Sequence, residues 1–198
     1  MNILAIGAHP DDLEIGCFGT LIKHKNSGDN IFGLILTRGE RGGNPSKRMD
    51  EALKSSQIIH MKLEFGDFKD GFVQNDIEVI SCIEKIVVSK KIDIIYCPSI
   101  HERHQDHRNT GLCVLVAGRK SVEVYAFETI SCTNDFNPTM FVDITSNMDT
   151  KISCLENHKS QEHKLYIQNH EVFNRYRALK VDKPDRFFEA FEVIKLIK

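Results

Sequence analysis

A series of short apolar runs, Ile3–Ile6, Ile31–Leu36, Ile92–Cys97 and Val122–Phe127, constrains this chain more than any other feature. The first three are nearly continuous in apolar residues, the pattern of strands buried on both faces, and the fourth alternates. Between them lie stretches with helical spacing. Leu13–Lys25 turns Ile15, Phe18, Leu21 and Ile22 inward and meets a stop at Gly28. Ser46–His60 reads as a helix, Lys62–Phe65 as a short strand, and Asn75 with Glu78 as a capping-box start to a helix ending near Ser89. Arg108–Ala117 follows the third run as a further helix. Strands alternating with helices at this spacing predict an α/β domain over residues 1–198, with a mostly parallel sheet covered on both faces. Beyond Phe127 the pattern thins. Thr129–Pro138 reads as a loop, Met140–Ile144 as a strand, Thr145–Gln161 and Glu162–Leu179 as helical. Phe187–Ile194 fits strand and helix equally.

Composition narrows the function classes. A net charge of −2 offers no basic face for nucleic acid. The six cysteines are spaced singly with no C-x-x-C pair, so they are expected as small core residues in a reducing compartment. No basic leader with an apolar stretch opens the sequence, and no run approaches the ~20 residues of a membrane span. A cytoplasmic protein with no integral membrane segment is the expectation, and the sequence leaves a homo-oligomer open.

The first apolar run delivers Ala8-His9-Pro10-Asp11-Asp12. Pro10 cannot continue a strand ladder, so it forces a turn at the run's carboxyl end, where open α/β sheets bind ligands. His9 and Asp12 lie three apart across that turn and can face one cavity. Imidazole nitrogen with carboxylate oxygen suits Zn²⁺, which in catalytic sites takes about three protein ligands and one water. Asp11 would then be free to take a proton. The plainer alternative makes Asp11 and Asp12 helix caps and His9 a turn hydrogen-bonder.

A second cluster, His101-Glu102-Arg103-His104-Gln105-Asp106-His107, follows the Ile92–Cys97 run. Histidines on a loop are often only polar surface. Two such clusters at the same end of one sheet argue for a shared site, with His107 at the helix opening as the third ligand. The glycine-rich loop Arg38–Pro45 leaves the same end of the sheet, and Arg48 in the helix after it faces that end as well.

Ala8-His9-Pro10-Asp11-Asp12 with Gly16, and His104-Gln105-Asp106-His107, together resemble the PIG-L/LmbE-type zinc-dependent N-deacetylases. Further echoes are Thr37-Arg38-Gly39-Glu40, Arg48 with Glu51, the His158–Gln161 segment and Phe188-Glu189-Ala190-Phe191, so the resemblance spans the chain. It implies a Rossmann-like three-layer fold and hydrolysis of an N-acetylated amino sugar or its conjugate to amine and acetate. It implies Zn²⁺ held by His9, Asp12 and His107, with Asp11 as general base. His104 is expected at the developing oxyanion, and Asp106 behind an imidazole to orient it. Arg48 is expected at a substrate hydroxyl or phosphate oxygen, against the alternative of a helix salt bridge to Glu51. Glu14 is expected either to support Asp12 or His9 or to be a solvated first-turn acid. His158 and Gln161 are expected as packing or supporting contacts, and His101 as rim polarity. The chain departs from the family pattern in its short length, in Phe127–Met140, which carries no substrate signature, and at Gln105, where the family has proline and where a looser turn is expected.

Other readings are weaker. Two His and one carboxylate also make the Fe(II) oxygenase triad, but an oxygenase has no use for Asp11. A nucleotide-binding module would want G-x-G-x-x-G after the first strand, and Gly7, Gly16 and Gly19 do not fit. A metal-binding protein without turnover would not need every candidate catalytic group. The substrate stays open between free, nucleotide-linked, thiol-linked and lipid-linked sugars, with a small soluble sugar or sugar nucleotide favoured.

Overall fold

The apolar runs pair side by side in the computed structural model, which describes residues 1–120, 122–161 and 170–197. The strands are β1 (Asn2–Gly7), β2 (Asn30–Thr37), β3 (Lys62–Phe68), β4 (Ile94–Pro98), β5 (Glu123–Phe127), β6 (Met140–Asp143) and β7 (Phe188–Lys195). They form a seven-stranded sheet of order β3-β2-β1-β4-β5-β7-β6. β1 to β5 are parallel, and β7 and β6 close one edge antiparallel. The helices are α1 (Asp12–Gly16), α2 (Phe18–Asn26), α3 (Pro45–Ile58), α4 (Ile77–Ser89), α5 (Gln105–Ala117), α6 (Met148–Leu155) and α7 (His170–Leu179).

The period-two alternation of β1 divides the core. Ile3 and Ala5 face Phe18, Leu21, Ala52 and Cys154, from α2, α3 and α6. Leu4 and Ile6 face Val79, Ile83, Cys113 and Val114, from α4 and α5. Complete burial of each large apolar side chain is worth about 1.5–3 kcal/mol, which is why unbroken apolar runs take central places in the sheet. This is the expected three-layer α/β architecture. The cysteines are all free, and Cys17, Cys97, Cys113 and Cys154 are buried. Among the described residues no helix is long and apolar enough to cross a membrane.

The helix expected over Leu13–Lys25 is split at Cys17, whose φ of −145° is not helical. A split leaves carbonyls at the end of α1 and N–H groups at the start of α2 without helical partners. The Lys151 Nζ donates to the Ile15 carbonyl (3.0 Å) and pairs with Glu189 (2.6 Å). Glu189 in turn accepts from the Gly19 and Thr20 N–H groups at 2.9 and 2.8 Å. A buried ion pair thus completes the joint.

Other differences are local. The cap of α4 is Asp76, accepting from the Glu78 and Val79 N–H groups, and not Asn75. The span Thr145–Gln161 is a 3-10 turn, α6 and a second 3-10 turn rather than one helix. The expected helix over Glu162–Leu179 is seen as α7, and its portion 162–169 lies outside the described residues. Phe188–Lys195 resolves as a strand whose Glu189 and Glu192 are buried, which masks the apolar alternation in the sequence.

Candidate metal centre and active site

The strand order reverses between β1 and β4, the switch point at which α/β sheets form a crevice. Both histidine clusters leave the carboxyl ends of these two strands. After Gly7 the chain turns sharply, and the Asp12 carboxylate folds back to accept from the N–H groups of Ala8 (2.7 Å) and His9 (2.9 Å). A Cβ on Gly7 would stand 2.9 Å from the Asp12 Cβ, so the turn needs glycine there. On the other strand, His104 caps α5, its Nδ1 accepting from the Asp106 N–H at 3.2 Å.

These turns bring together His9, Asp12 and His107. His9 Nδ1 lies 3.0 Å from His107 Nε2, which lies 3.2 Å from Asp12 Oδ1, and Asp12 Oδ2 is 3.8 Å from His9 Nδ1. A ring nitrogen of His104 lies within 4.8 Å of those of His9 and His107. Burial would push the His9 and His107 imidazoles down, but adjacent carboxylates outweigh it and raise them to about 9 and about 10. The Asp12 carboxyl, which burial would push up, is held below the carboxylate range by His107 and His9. Two imidazole nitrogens facing each other at hydrogen-bond distance, with a carboxylate beside them, fit a shared divalent cation. Binding it displaces their protons, since a ligating nitrogen must be deprotonated.

The outer side of His9 is held by two carboxylates. Its Nε2 lies 3.1 Å from Asp70 Oδ1 and 3.2 Å from Asp106 Oδ2. Asp106 also accepts from the N–H groups of Gly71 and Val73. Asp106 is therefore placed behind the His9 imidazole. Asp70, a second carboxylate on the same nitrogen, is a partner the sequence reading missed; it lies 61 residues away, and no local spacing could signal it. Glu102 is buried 3.6 Å from His107 Nδ1 and is held by the hydroxyls of Thr129 and Ser131. The Gln105 amide donates to the Gly71 carbonyl and so ties its turn to the loop after β3.

Asp11 has φ 113°, an unusual backbone for a non-glycine residue, and its side chain makes no capping bond to α1. The capping alternative is thereby removed for Asp11. Arg48 is buried against it, with Nη2 3.3 Å from Asp11 Oδ1, and donates to the carbonyls of Pro10 (2.6 Å) and Gly39 (2.8 Å). Glu51 is instead taken by Ser160, so the Arg48–Glu51 bridge does not form. Glu14 is neither solvated nor a support for Asp12 or His9: it is buried and pairs with His158 at 3.1 Å. Gln161 donates to the Gly42 carbonyl. His101 stays half-exposed on the loop, 3.7 Å from Glu192.

A cavity of about 710 Å³ opens over these groups, lined by His9, Asp11, Asp12, Arg48, His104 and His107. Asp70, Gln105, Arg41 and Arg103 also line it, as do Thr129, Ile130 and Ser131 from the loop after β5. Asp106 lies behind its wall, touching His9.

Fold and donor set together define an α/β protein with a metal-competent pocket at its sheet switch point. Residues 4–117, more than half of the chain, match the PIG-L family, described as GlcNAc-PI de-N-acetylase. The uncharacterized deacetylase YaiS of Escherichia coli K12 is 32% identical over 172 residues, covering 80% of this chain and 91% of that one. The diacetylchitobiose deacetylase of Thermococcus kodakarensis is 28% identical over 189 residues, covering 81% of this chain and 70% of that one. Among solved structures, 4-carboxy-2-hydroxymuconate hydratase GalB of Pseudomonas putida KT2440 shares the fold with a TM-score of 0.87 at 20% identity. That match covers 100% of this chain and 97% of GalB. The chain belongs to the PIG-L family.

Proposed function

We propose that this protein is a zinc-dependent hydrolase that removes the N-acetyl group from an N-acetylated amino sugar or sugar conjugate, including sugar nucleotides. The observation that carries this reading is the convergence of His9, Asp12 and His107 beside Asp11, a buried carboxylate that makes no cap bond to its helix. The deacetylases among its relatives support the reaction class, and diacetylchitobiose, the substrate named for one of them, supports an amino-sugar substrate.

His9, Asp12 and His107 would hold the zinc. When bound, zinc supplies an activated water, lowering its pKa from 15.7 toward about 7, and polarises the amide carbonyl. Asp11 takes the proton of the attacking water and later returns it to the leaving amine nitrogen. Arg48 fixes the orientation of Asp11 and meets the substrate side of the same cavity. His104 accepts the Asp106 N–H on Nδ1, so its neutral ring carries a proton on Nε2 and donates toward the amide oxygen as charge develops there. Burial and the neighbouring His107 lower the His104 pKa, which favours that neutral donor. Asp106 with Asp70 accepts from His9 Nε2, which leaves Nδ1 as the ligating nitrogen.

The test is acetate release with bound metal quantified, wild type beside Asp11→Ala, over a panel of N-acetylated sugars and sugar nucleotides. Acetate from one member, abolished in Asp11→Ala with about one zinc retained, is the expected result. Zinc without acetate from any member would leave the metal site and remove the amino-sugar substrate, and no zinc, or iron with oxygen consumption, would overturn the hydrolase reading itself.

A further inference from the structure

The two imidazoles of the metal centre present different nitrogens to each other. His9 Nδ1 and His107 Nε2 face at 3.0 Å, and Asp12 Oδ1 lies 3.2 Å from His107 Nε2. A neutral imidazole that ligates through Nε2 carries its proton on Nδ1. His107 Nδ1 is buried, and among the described residues it has no hydrogen-bond partner. The group that faces it is the Glu102 carboxylate, with Oε2 at 3.6 Å, an ion-pair distance longer than a hydrogen bond.

Glu102 is a costly residue to bury. Only 2% of it is exposed, and its carboxylate accepts from the hydroxyls of Thr129 and Ser131 and from the Cys132 thiol, all neutral donors. Among the described residues no lysine or arginine pairs with it, and His107 is its ion-pair partner. A buried carboxylate needs a compensating positive charge. Here that charge can come only from the side of His107, where a bound dication would polarise the ring.

The donors to Glu102 come from the loop after β5. Thr129 and Ser131 also line the cavity of about 710 Å³, so the groups that hold Glu102 are part of the wall a substrate would touch. This loop is clipped to the histidine loop along its backbone. The Arg103 N–H donates to the Ser131 carbonyl at 3.1 Å and the Thr133 N–H to the His101 carbonyl at 2.7 Å, with an antiparallel bridge between Glu102 and Cys132. Glu102 therefore stands between cavity wall and metal ligand.

Resting on the zinc hydrolase reading, we propose that Glu102 is the positioning residue of His107. Its negative charge holds the ring proton on Nδ1, which leaves Nε2 to ligate and makes it the stronger donor. Thr129 and Ser131 aim the carboxylate, so the cavity wall after β5 is coupled to the metal centre through one side chain.

Glu102→Gln separates this role from a merely structural tie between the two loops. Hydroxyls accept from an amide as readily as they donate to a carboxylate, so a tie tolerates glutamine. A residue that holds the Nδ1 proton by its charge does not. Zinc affinity is measured by competition with a chelator, and the visible spectrum of the cobalt(II)-substituted protein reports the ligand geometry. Glu102→Gln should lower zinc affinity by about 10–100-fold and shift the cobalt bands, with thermal unfolding of the metal-free protein near wild type. Thr129→Val should lower zinc affinity by less, and should lower it no further in the Glu102→Gln background, because its effect passes through that carboxylate. Unchanged affinity and spectrum in Glu102→Gln, or an equal effect of Thr129→Val in both backgrounds, overturns the proposal and leaves the zinc site standing. If Glu102→Gln does not fold, Thr129→Val and Ser131→Ala decide. Lowered zinc affinity with unaltered unfolding supports the coupling, and wild-type affinity in both overturns it. A wild type that binds no zinc overturns the hydrolase reading and the coupling together. Metal binding is read without substrate, so a failure to release acetate bears on the substrate alone.

Discussion

Two buried charge clusters stand on either side of the short helix α1, and they are built on opposite rules. At its carboxyl end, Lys151 and Glu189 are sealed, 0% and 2% exposed, and bond to each other, to Ile15, Gly19 and Thr20. At its amino end, Asp11, Asp12, His9 and His107 are nearly as buried but line a cavity, and their donor atoms crowd one another. The sealed pair spends its charge on completing the backbone. The open cluster keeps its charge directed at space a ligand can enter. Burial of charge therefore does not identify a candidate site; facing an open cavity does.

The largest expected effect breaks the open cluster only. Asp11→Asn preserves an oxygen for Arg48 and removes the proposed base, so kcat/KM should fall by roughly 10²–10⁴-fold. Thermal unfolding of the same variant should stay near wild type. A parallel fall in melting temperature would mean that Asp11 serves the fold as Glu189 does.

Breaking the sealed cluster should do the reverse. Glu189→Leu strands the Lys151 ammonium and the Gly19 and Thr20 N–H groups in the core, at a cost of about 3–5 kcal/mol by denaturant unfolding. Lys151→Met with Glu189→Leu should recover part of that loss, because no unpaired charge remains. A single variant as stable as wild type would show the pair to be dispensable to the α1–α2 joint.

What the sequence could announce follows from the same contrast. His9, Asp11 and Asp12 fall within one four-residue stretch just after a buried strand, so local spacing exposes them, and the apolar runs reveal the parallel strands because both faces are covered. The α1–α2 break is invisible locally, since its partners Lys151 and Glu189 stand 136 and 170 residues from Ile15 and Gly19. Asp70 escaped for the same reason. In β7, Glu189 and Glu192 point into the protein and erase the alternation that would have marked a strand. Long-range polar pairing, where each partner alone looks like surface, is what the one-dimensional pattern hides.

A smaller effect sharpens the comparison inside the open cluster. Asp106→Asn weakens the hold on His9 Nε2 while an amide oxygen can still accept from Gly71 or Val73. Zinc affinity measured by competition with a chelator should fall by about 10–100-fold, and stability little. Asp70→Asn should act in the same direction and less strongly, since Asp106 remains on the same nitrogen. Unaltered zinc affinity in both variants would show that His9 needs no carboxylate to hold its orientation.

The smallest effect lies between the clusters, at His158 and Glu14. This pair is sealed like Lys151–Glu189, but one partner is a histidine, whose charge depends on pH. Burial would lower the His158 pKa, and Glu14, with Asp11 and Glu51 further off, outweighs it and raises it above 6.5. A group whose folded pKa is raised contributes stability that is complete below its unfolded pKa and disappears as pH rises through the folded value. The stability difference between wild type and His158→Gln should therefore be greatest at about pH 6 and below, on the order of 1 kcal/mol, and shrink as pH rises through the raised folded pKa. Unfolding curves at pH 6 and pH 9 measure it. A difference that grew with pH would mean that the neutral imidazole is the form the fold prefers, and that Glu14 is held by something other than the histidine's charge.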